Sequence, residues 1–195
     1  HDVSLDVERG RITALVGANG AGKSTLIDVI AGFRRPDGGR VRRDPADRIA
    51  IVPQGARSID RLPVTVRDVV TMGRWADRGL WRPLRRRDRD AVDDALELLA
   101  IEDLATRSMT ELSGGQRQRA LLAQSIARAA TVLLLDEPAT GLDDTSVELV
   151  LEAIRREAAR GVAVVLATHD QGTRNLADRV VTLREGTIES SPFRG

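Results

Sequence analysis

Cysteine is absent from this chain of 195 residues, which excludes disulfide bonds, thiolate nucleophiles and zinc or iron–sulfur centres held by cysteine. Two histidines are too few for a histidine cluster, so no resident transition metal is expected. Tyrosine is missing, and aromatic residues amount to 2%. No apolar run approaches the roughly 20 residues that a membrane-crossing helix needs. The amino end, His1-Asp2-Val3-Ser4, has neither the basic cluster nor the apolar stretch of a signal peptide, so the sequence predicts a cytoplasmic domain. Neither charge is in excess. A formal net charge of +1 gives no electrostatic reason to expect a nucleic-acid partner. The clusters Arg34, Arg35, Arg40, Arg42, Arg43 and Arg82, Arg85, Arg86, Arg87, Arg89 read as solvated surface.

Lysine is nearly missing too, since Lys23 is the single lysine among 30 basic residues. The bias toward arginine spared this one position. Lysine offers a compact ammonium on a flexible stem where arginine offers a broad planar fork, and a tight phosphate cradle can demand the former.

What is present suits one globular domain: 42% apolar and 30% charged residues at a length that buries a substantial core. Apolar, β-rich runs at Ile12–Val16, Ile49–Val52, Val132–Leu135, Val162–Ala167 and Val180–Leu183 alternate with helix-period stretches at Ser24–Ala31, Ala91–Leu99, Gln116–Ala130 and Ser146–Arg160. This alternation predicts an α/β fold with a largely parallel sheet flanked by helices. Asp144 or Thr145 is the expected N-cap of the last helix, and Glu185-Gly186-Thr187 reads as a turn. From about Gly55 to Thr110 strand signals fade, Pro63 and Pro83 intervene, and two short helical patterns suggest an inserted helical subdomain. The expected division is a core of about 1–55 and 131–195 with a helical subdomain of about 56–130.

Gly17-Ala18-Asn19-Gly20-Ala21-Gly22-Lys23-Ser24-Thr25 fits G-x-x-x-x-G-K-[ST] and lies where that motif works, between the strand Ile12–Val16 and the helix from Ser24. Glycines let successive amide N–H groups curl around phosphates, and the helix N-terminus adds its positive end. Lys23 is expected on the β- and γ-phosphates, with the Ser24 hydroxyl on Mg²⁺. A chance fit in a chain of this length is on the order of 1%. The motif makes the expected core that of a P-loop NTPase.

Val132-Leu133-Leu134-Leu135-Asp136-Glu137 ends an apolar strand on two acids, at the carboxyl edge where open α/β sheets bind ligands. Asp136 suits Mg²⁺ and Glu137 suits a general base for an attacking water. Acids also commonly end buried strands at the surface, so this pair alone leaves both readings open.

Leu112-Ser113-Gly114-Gly115-Gln116 resembles the signature sequence of the ATP-binding cassette family. In isolation, Ser-Gly-Gly before a helix is an N-cap and loop; with the phosphate loop it carries the resemblance. Other family elements follow in order: Gln54 resembles the Q-loop glutamine, Gly141-Leu142-Asp143 the D-loop, and His169 the switch histidine. The resemblance implies a MgATP-hydrolysing subunit working as a head-to-tail dimer. ATP would lie between Gly17, Asn19, Gly20, Ala21, Gly22, Lys23, Ser24 and Thr25 of one copy and Ser113, Gly114, Gly115 and Gln116 of the other, with Asp143 nearby. Thr25 would meet the α-phosphate, Gln54 would join Ser24 and Asp136 at Mg²⁺ and sense the γ-phosphate, and His169 would support Glu137. A membrane permease would be driven from the inner face of the membrane, with a substrate-binding protein added in an importer.

Val69–Leu84, with Met72-Gly73-Arg74-Trp75, resembles the helical region of zinc and manganese importers. Trp75 and Trp81 read equally well as anchors of the helical subdomain. An exporter, or a soluble cassette ATPase of iron–sulfur assembly, is the alternative. Two features depart from the family: no aromatic residue precedes Phe33 to stack on adenine, which suggests a missing N-terminal segment, and Gln124 stands where an arginine is usual.

Overall fold

Valine, leucine and isoleucine in short unbroken runs favour strands buried on both faces, as in a parallel sheet covered by helices. The computed structural model, which describes residues 2–54, 63–78 and 83–190, forms that sheet. Its strands are β1 (Ile12–Val16), β2 (Ile49–Val52), β3 (Val132–Asp136), β4 (Ala163–Ala167), β5 (Arg179–Arg184) and β6 (Thr187–Ser190), in the order β2-β3-β4-β1-β5-β6. All neighbours pair in parallel except β5 and β6. Every residue of β4 is buried. The core gathers Leu15, Ile27, Leu134, Val165, Val181 and Leu183. Glu185 and Gly186, at φ 48° and 79°, supply the left-handed pair that a tight hairpin between β5 and β6 requires.

The helices are α1 (Lys23–Ala31), α2 (Val66–Arg78), α3 (Arg86–Leu98), α4 (Gly114–Ala127), α5 (Asp144–Ala159) and α6 (Gln171–Asn175). They fall with the strands into two compact units. One takes the described residues up to Gln54, Ala130–Thr140 and those from Ile154 onward; the other takes those of Gly55–Ala129 together with Gly141–Ala153.

Several boundaries differ from the sequence reading for local reasons. α4 ends at Ala127 rather than Ala130 because Ala129 turns left-handed, at φ 52°. α3 begins at Arg86, five residues early, because Asp88 Oδ2 accepts the Arg85 N–H at 2.9 Å and nucleates its first turn. The N-cap of α5 is Asp143, not Asp144 or Thr145: its carboxylate accepts both the N–H and the hydroxyl of Ser146, at 2.9 and 2.8 Å. At the start of α2, Thr65 and Asp68 cap each other reciprocally, and the hydroxyl and N–H of Thr65 hold the Asp68 carboxyl below its usual range.

The helical unit is pinned where α2 meets α4. Gly73 lies so close to α4 that a Cβ there would stand 2.2 Å from the Gln124 carbonyl oxygen, so only glycine fits without a shift of backbone. The next residue, Arg74, donates to the Ala127 carbonyl at 2.8 Å and to Asp88 Oδ1 at 3.0 Å. Asp88 is 0% exposed, and Arg74 is the cation that compensates its burial. Arg119 of α4 likewise donates to the carbonyls of Leu99 and Ala100 just past α3. Trp75 is half-buried on α2, whereas Trp81 and Arg82 lie outside the described residues.

Two outcomes follow for stability. Replacing Asp88 with Ala strands Arg74 and uncaps α3, and unfolding in urea should register a loss of about 3–5 kcal/mol; a loss under 1 kcal/mol would contradict the buried pair. Glu157, buried near the end of α5, has its carboxyl pushed above the ordinary 4.5 by desolvation, which the Arg160 guanidinium opposes without outweighing. A folded-state value above the unfolded one means this group favours folding fully below the unfolded value, and the contribution is lost as pH rises through the folded one. Urea midpoints measured across that window should fall with pH in the wild type relative to Glu157→Gln, and parallel curves would contradict the assignment.

Candidate functional site

The phosphate loop follows directly from β1. Gly17, at φ 154°, brings its backbone so close to β5 that a Cβ would lie 2.3 Å from the Leu183 carbonyl oxygen. Ala21 is buried beneath the loop, with its N–H on the Ala18 carbonyl and its own carbonyl accepting the Gly186 N–H. Gly22, left-handed at φ 103°, stands at the N-cap of α1 and carries no side-chain cap. The first-turn N–H groups of α1 therefore remain available to an anion. Lys23 Nζ donates to the carbonyls of Gly17 and Ala18 at 2.8 and 3.1 Å. The sole ammonium is thus folded back over the loop and supplied with acceptors that a phosphate oxygen can replace.

A cleft of about 350 Å³ opens above this loop, lined by Asn19, Gly20, Gly22, Lys23, Ser24, Thr25, Gln54, Asp136, Glu137 and His169. Residues far apart in sequence meet there because β1, β3 and β4 end level. Gly17 and Ala21, also expected at the site, frame the loop without lining the cleft. Asp136 closes β3, and Glu137 turns off it in the left-handed region at φ 53°, its N–H donating to the Ala167 carbonyl at 2.9 Å. His169 Nδ1 lies 2.8 Å from Glu137 Oε1. A carboxylate accepts only, so the contact suits a His169 that donates from Nδ1. The Glu137 side chain is 7% exposed and that of His169 60%. Asp170 braces the loop after His169: the Thr173 N–H, 2.6 Å from Asp170 Oδ2, holds this carboxyl below its usual range.

Ser24, Gln54 and Asp136 bring a hydroxyl, an amide and a carboxylate to the cleft, a hard-oxygen set suited to Mg²⁺. Among the described residues no three His, Asp or Glu side chains cluster to hold a metal by themselves. That matches Mg²⁺ practice, in which one or two protein ligands share the ion with substrate phosphates.

The signature residues belong to the other unit. Ser113 caps α4, its Oγ accepting the Gln116 N–H at 3.2 Å while Gln116 Oε1 accepts the Ser113 N–H at 3.0 Å. This reciprocal box consumes the outer donors. The N–H groups of Gly114 and Gly115 remain as the unsatisfied pair of the first turn, beside a Ser113 hydroxyl proton free to donate. Such a helix start suits an anion, and Arg117, next in α4, donates to the Met109 carbonyl at 3.3 Å. Gln116 Oε1 is engaged in the box. Asp143 likewise serves as a helix cap, and its carboxyl lies below its usual range because the N–H and hydroxyl of Ser146 stabilise its charge. Gly115 packs beside Asp143 and Ser146.

Sequence reasoning missed Thr140, whose hydroxyl donates to Glu137 Oε2 at 2.9 Å, and Ser146. The signal for each was a hydroxyl residue three positions after an acid.

The ABC transporter family profile matches residues 1–140. The chelated iron transport system membrane protein YfeB of Yersinia pestis is 34% identical over 202 residues, spanning 99% of this chain and 68% of the relative. The manganese transport system ATP-binding protein MntA of Synechocystis sp. is 38% identical over 178 residues, spanning 87% of this chain and 68% of the relative. Among solved structures, a metal-chelate type ABC transporter in an inward-facing conformation matches with a TM-score of 0.86 at 33% identity, over 98% of this chain and 75% of that one. With its phosphate loop, acidic strand end and capped signature helix, the chain belongs to the ABC transporter family as an ATP-binding, ATP-hydrolysing cassette.

Proposed function

We propose that this cassette hydrolyses MgATP in sites shared by two copies packed head to tail, and that hydrolysis drives import of a metal ion or metal chelate through a membrane permease. The observation that carries the chemistry is the Glu137 carboxylate, fixed against His169 at 2.8 Å on the wall of the cleft lined by the phosphate loop. The dimer is supported by the division of anion-binding groups. The phosphate-loop cleft and the Ser113–Gly115 donors lie in different units of the chain, and the family pattern brings them to one nucleotide from two copies. The cargo is supported by the relatives, named for chelated iron and manganese transport; zinc or manganese is the narrower reading. The permease would hold the cassette at the inner face of the membrane, and a substrate-binding protein would deliver the cargo outside.

In this mechanism the amides of the phosphate loop and Lys23 hold the β- and γ-phosphates, and Asn19, Gly20 and Thr25 complete the cradle. Mg²⁺, when bound through Ser24, Asp136 and Gln54, supplies charge neutralisation at the phosphate oxygens. Glu137 takes a proton from a water as its oxygen bonds to the γ-phosphorus, and the bond from that phosphorus to the ADP oxygen breaks. His169 Nε2, free of the Glu137 contact, faces the γ-phosphate. The Ser113 hydroxyl with the Gly114 and Gly115 amides meets the same phosphate from the partner copy. Loss of that phosphate removes the bridge and lets the copies separate.

Glu137→Gln should keep ATP binding while phosphate release falls by about 10²–10⁴-fold; a variant near the wild-type rate would sink the base assignment. Ser113→Ala removes an N-cap and a phosphate donor together. It is expected to cost about 1 kcal/mol of stability and to slow hydrolysis, while leaving nucleotide affinity of the single copy, measured by equilibrium titration, unchanged. A lone copy that loses ATP affinity on this substitution would contradict the shared site.

A further inference from the structure

Glu137 is held at both oxygens. His169 Nδ1 occupies Oε1 from β4's exit, and Thr140 Oγ1 donates to Oε2 at 2.9 Å from the turn that Glu137 itself begins. That turn is closed by the Thr140 N–H on the Glu137 carbonyl at 3.3 Å, and it opens with the left-handed backbone of Glu137 at φ 53°. A non-glycine residue in that region costs free energy and persists only when its surroundings over-determine it. The carboxyl torsion of a glutamate is broad and roughly two-fold, so one partner leaves the group free to swivel. Two donors on different oxygens fix its plane, and each oxygen still keeps a lone pair for a water. The two clamps differ in kind: the His169 side chain is 60% exposed, whereas Thr140 is tied to Glu137 through both backbone and hydroxyl.

We propose that Thr140 is a positioning residue for hydrolysis, its hydroxyl locking the Glu137 carboxylate plane so that the base meets the attacking water in one orientation. The inference rests on the reading of Glu137 as base. Thr140 touches neither nucleotide nor water in this role, so its removal lowers kcat and leaves ATP binding alone. A hydroxyl at this place is what matters, and the methyl group is dispensable.

The test compares Thr140→Val, Thr140→Ser, Glu137→Gln and the double variant Glu137→Gln/Thr140→Val in the full-length protein, with kcat, KM for ATP and equilibrium ATP affinity measured for each. Thr140→Val should lower kcat about tenfold, the scale of one hydrogen bond to a charged group, with KM and affinity unchanged. Thr140→Ser should stay close to the wild-type rate. In the Glu137→Gln background, Thr140→Val should slow the residual rate no further, because the clamp has no base left to aim. Thr140→Val at the wild-type rate, Thr140→Ser as slow as Thr140→Val, or an equal slowing with and without the Glu137 carboxylate would each overturn the proposal. Failure of the underlying reading is separately visible, as an active Glu137→Gln single variant.

Discussion

The register of three parallel strands is the constraint on which the phosphate-loop cleft depends. Ala167, at the end of β4, is the partner of Leu15 on β1 and of Asp136 on β3. The strand that feeds the phosphate loop, the strand that ends in acids and the strand that releases His169 therefore finish at one level. The ladder continues past the strand ends: Glu137 donates to the Ala167 carbonyl, and the Thr168 N–H to that of Leu15. A one-residue slip would reverse the faces of every side chain on the shifted strand and would carry Asp136 and Glu137 away from Lys23. The buried cluster of Leu15, Leu134, Val165 and Val181 packs these strands together in that register.

Much of this was legible because the chemistry is local. A loop that binds phosphate through its own amides is written in consecutive residues, and Gly17 through Thr25 announced it. Strands buried on both faces leave unbroken apolar runs, so β1 to β5 were visible to within a residue or two. Where stability comes from a partner distant in sequence, the reading failed. Nothing in Arg85-Arg86-Arg87-Asp88 indicates that Asp88 is the buried counter-ion of Arg74, or that α3 starts there. Thr187–Ser190 is polar and largely exposed, so the turn before β6 was readable and the strand was not. The Asp143 cap competed with Asp144 and Thr145, and only the Ser146 contacts decide among them. Thr140 stood three positions after an acid, but that spacing gains its meaning only because Glu137 leaves the strand in a left-handed conformation. Gln124 fits the same pattern: its carbonyl, not its side chain, is the group pressed against Gly73.

The two anion-binding surfaces solve the same problem with different means. The phosphate loop spends the only lysine, parked on its own carbonyls. The signature end of α4 instead relies on a helix start, with Ser113 and Gln116 closing a reciprocal capping box. Under the proposed head-to-tail arrangement, a second copy supplies the donors that complete each nucleotide site.

Mixing two inactive variants tests that claim most directly. Lys23→Ala removes the phosphate loop's cation, and Ser113→Glu sets a carboxylate against the phosphate at the signature helix. If the halves are shared head to tail, each variant alone hydrolyses almost no ATP, but an equimolar mixture regains activity, because every mixed pair holds one site with both halves intact. A mixture as inactive as its components, or a Ser113→Glu protein with undiminished activity, would contradict the shared site.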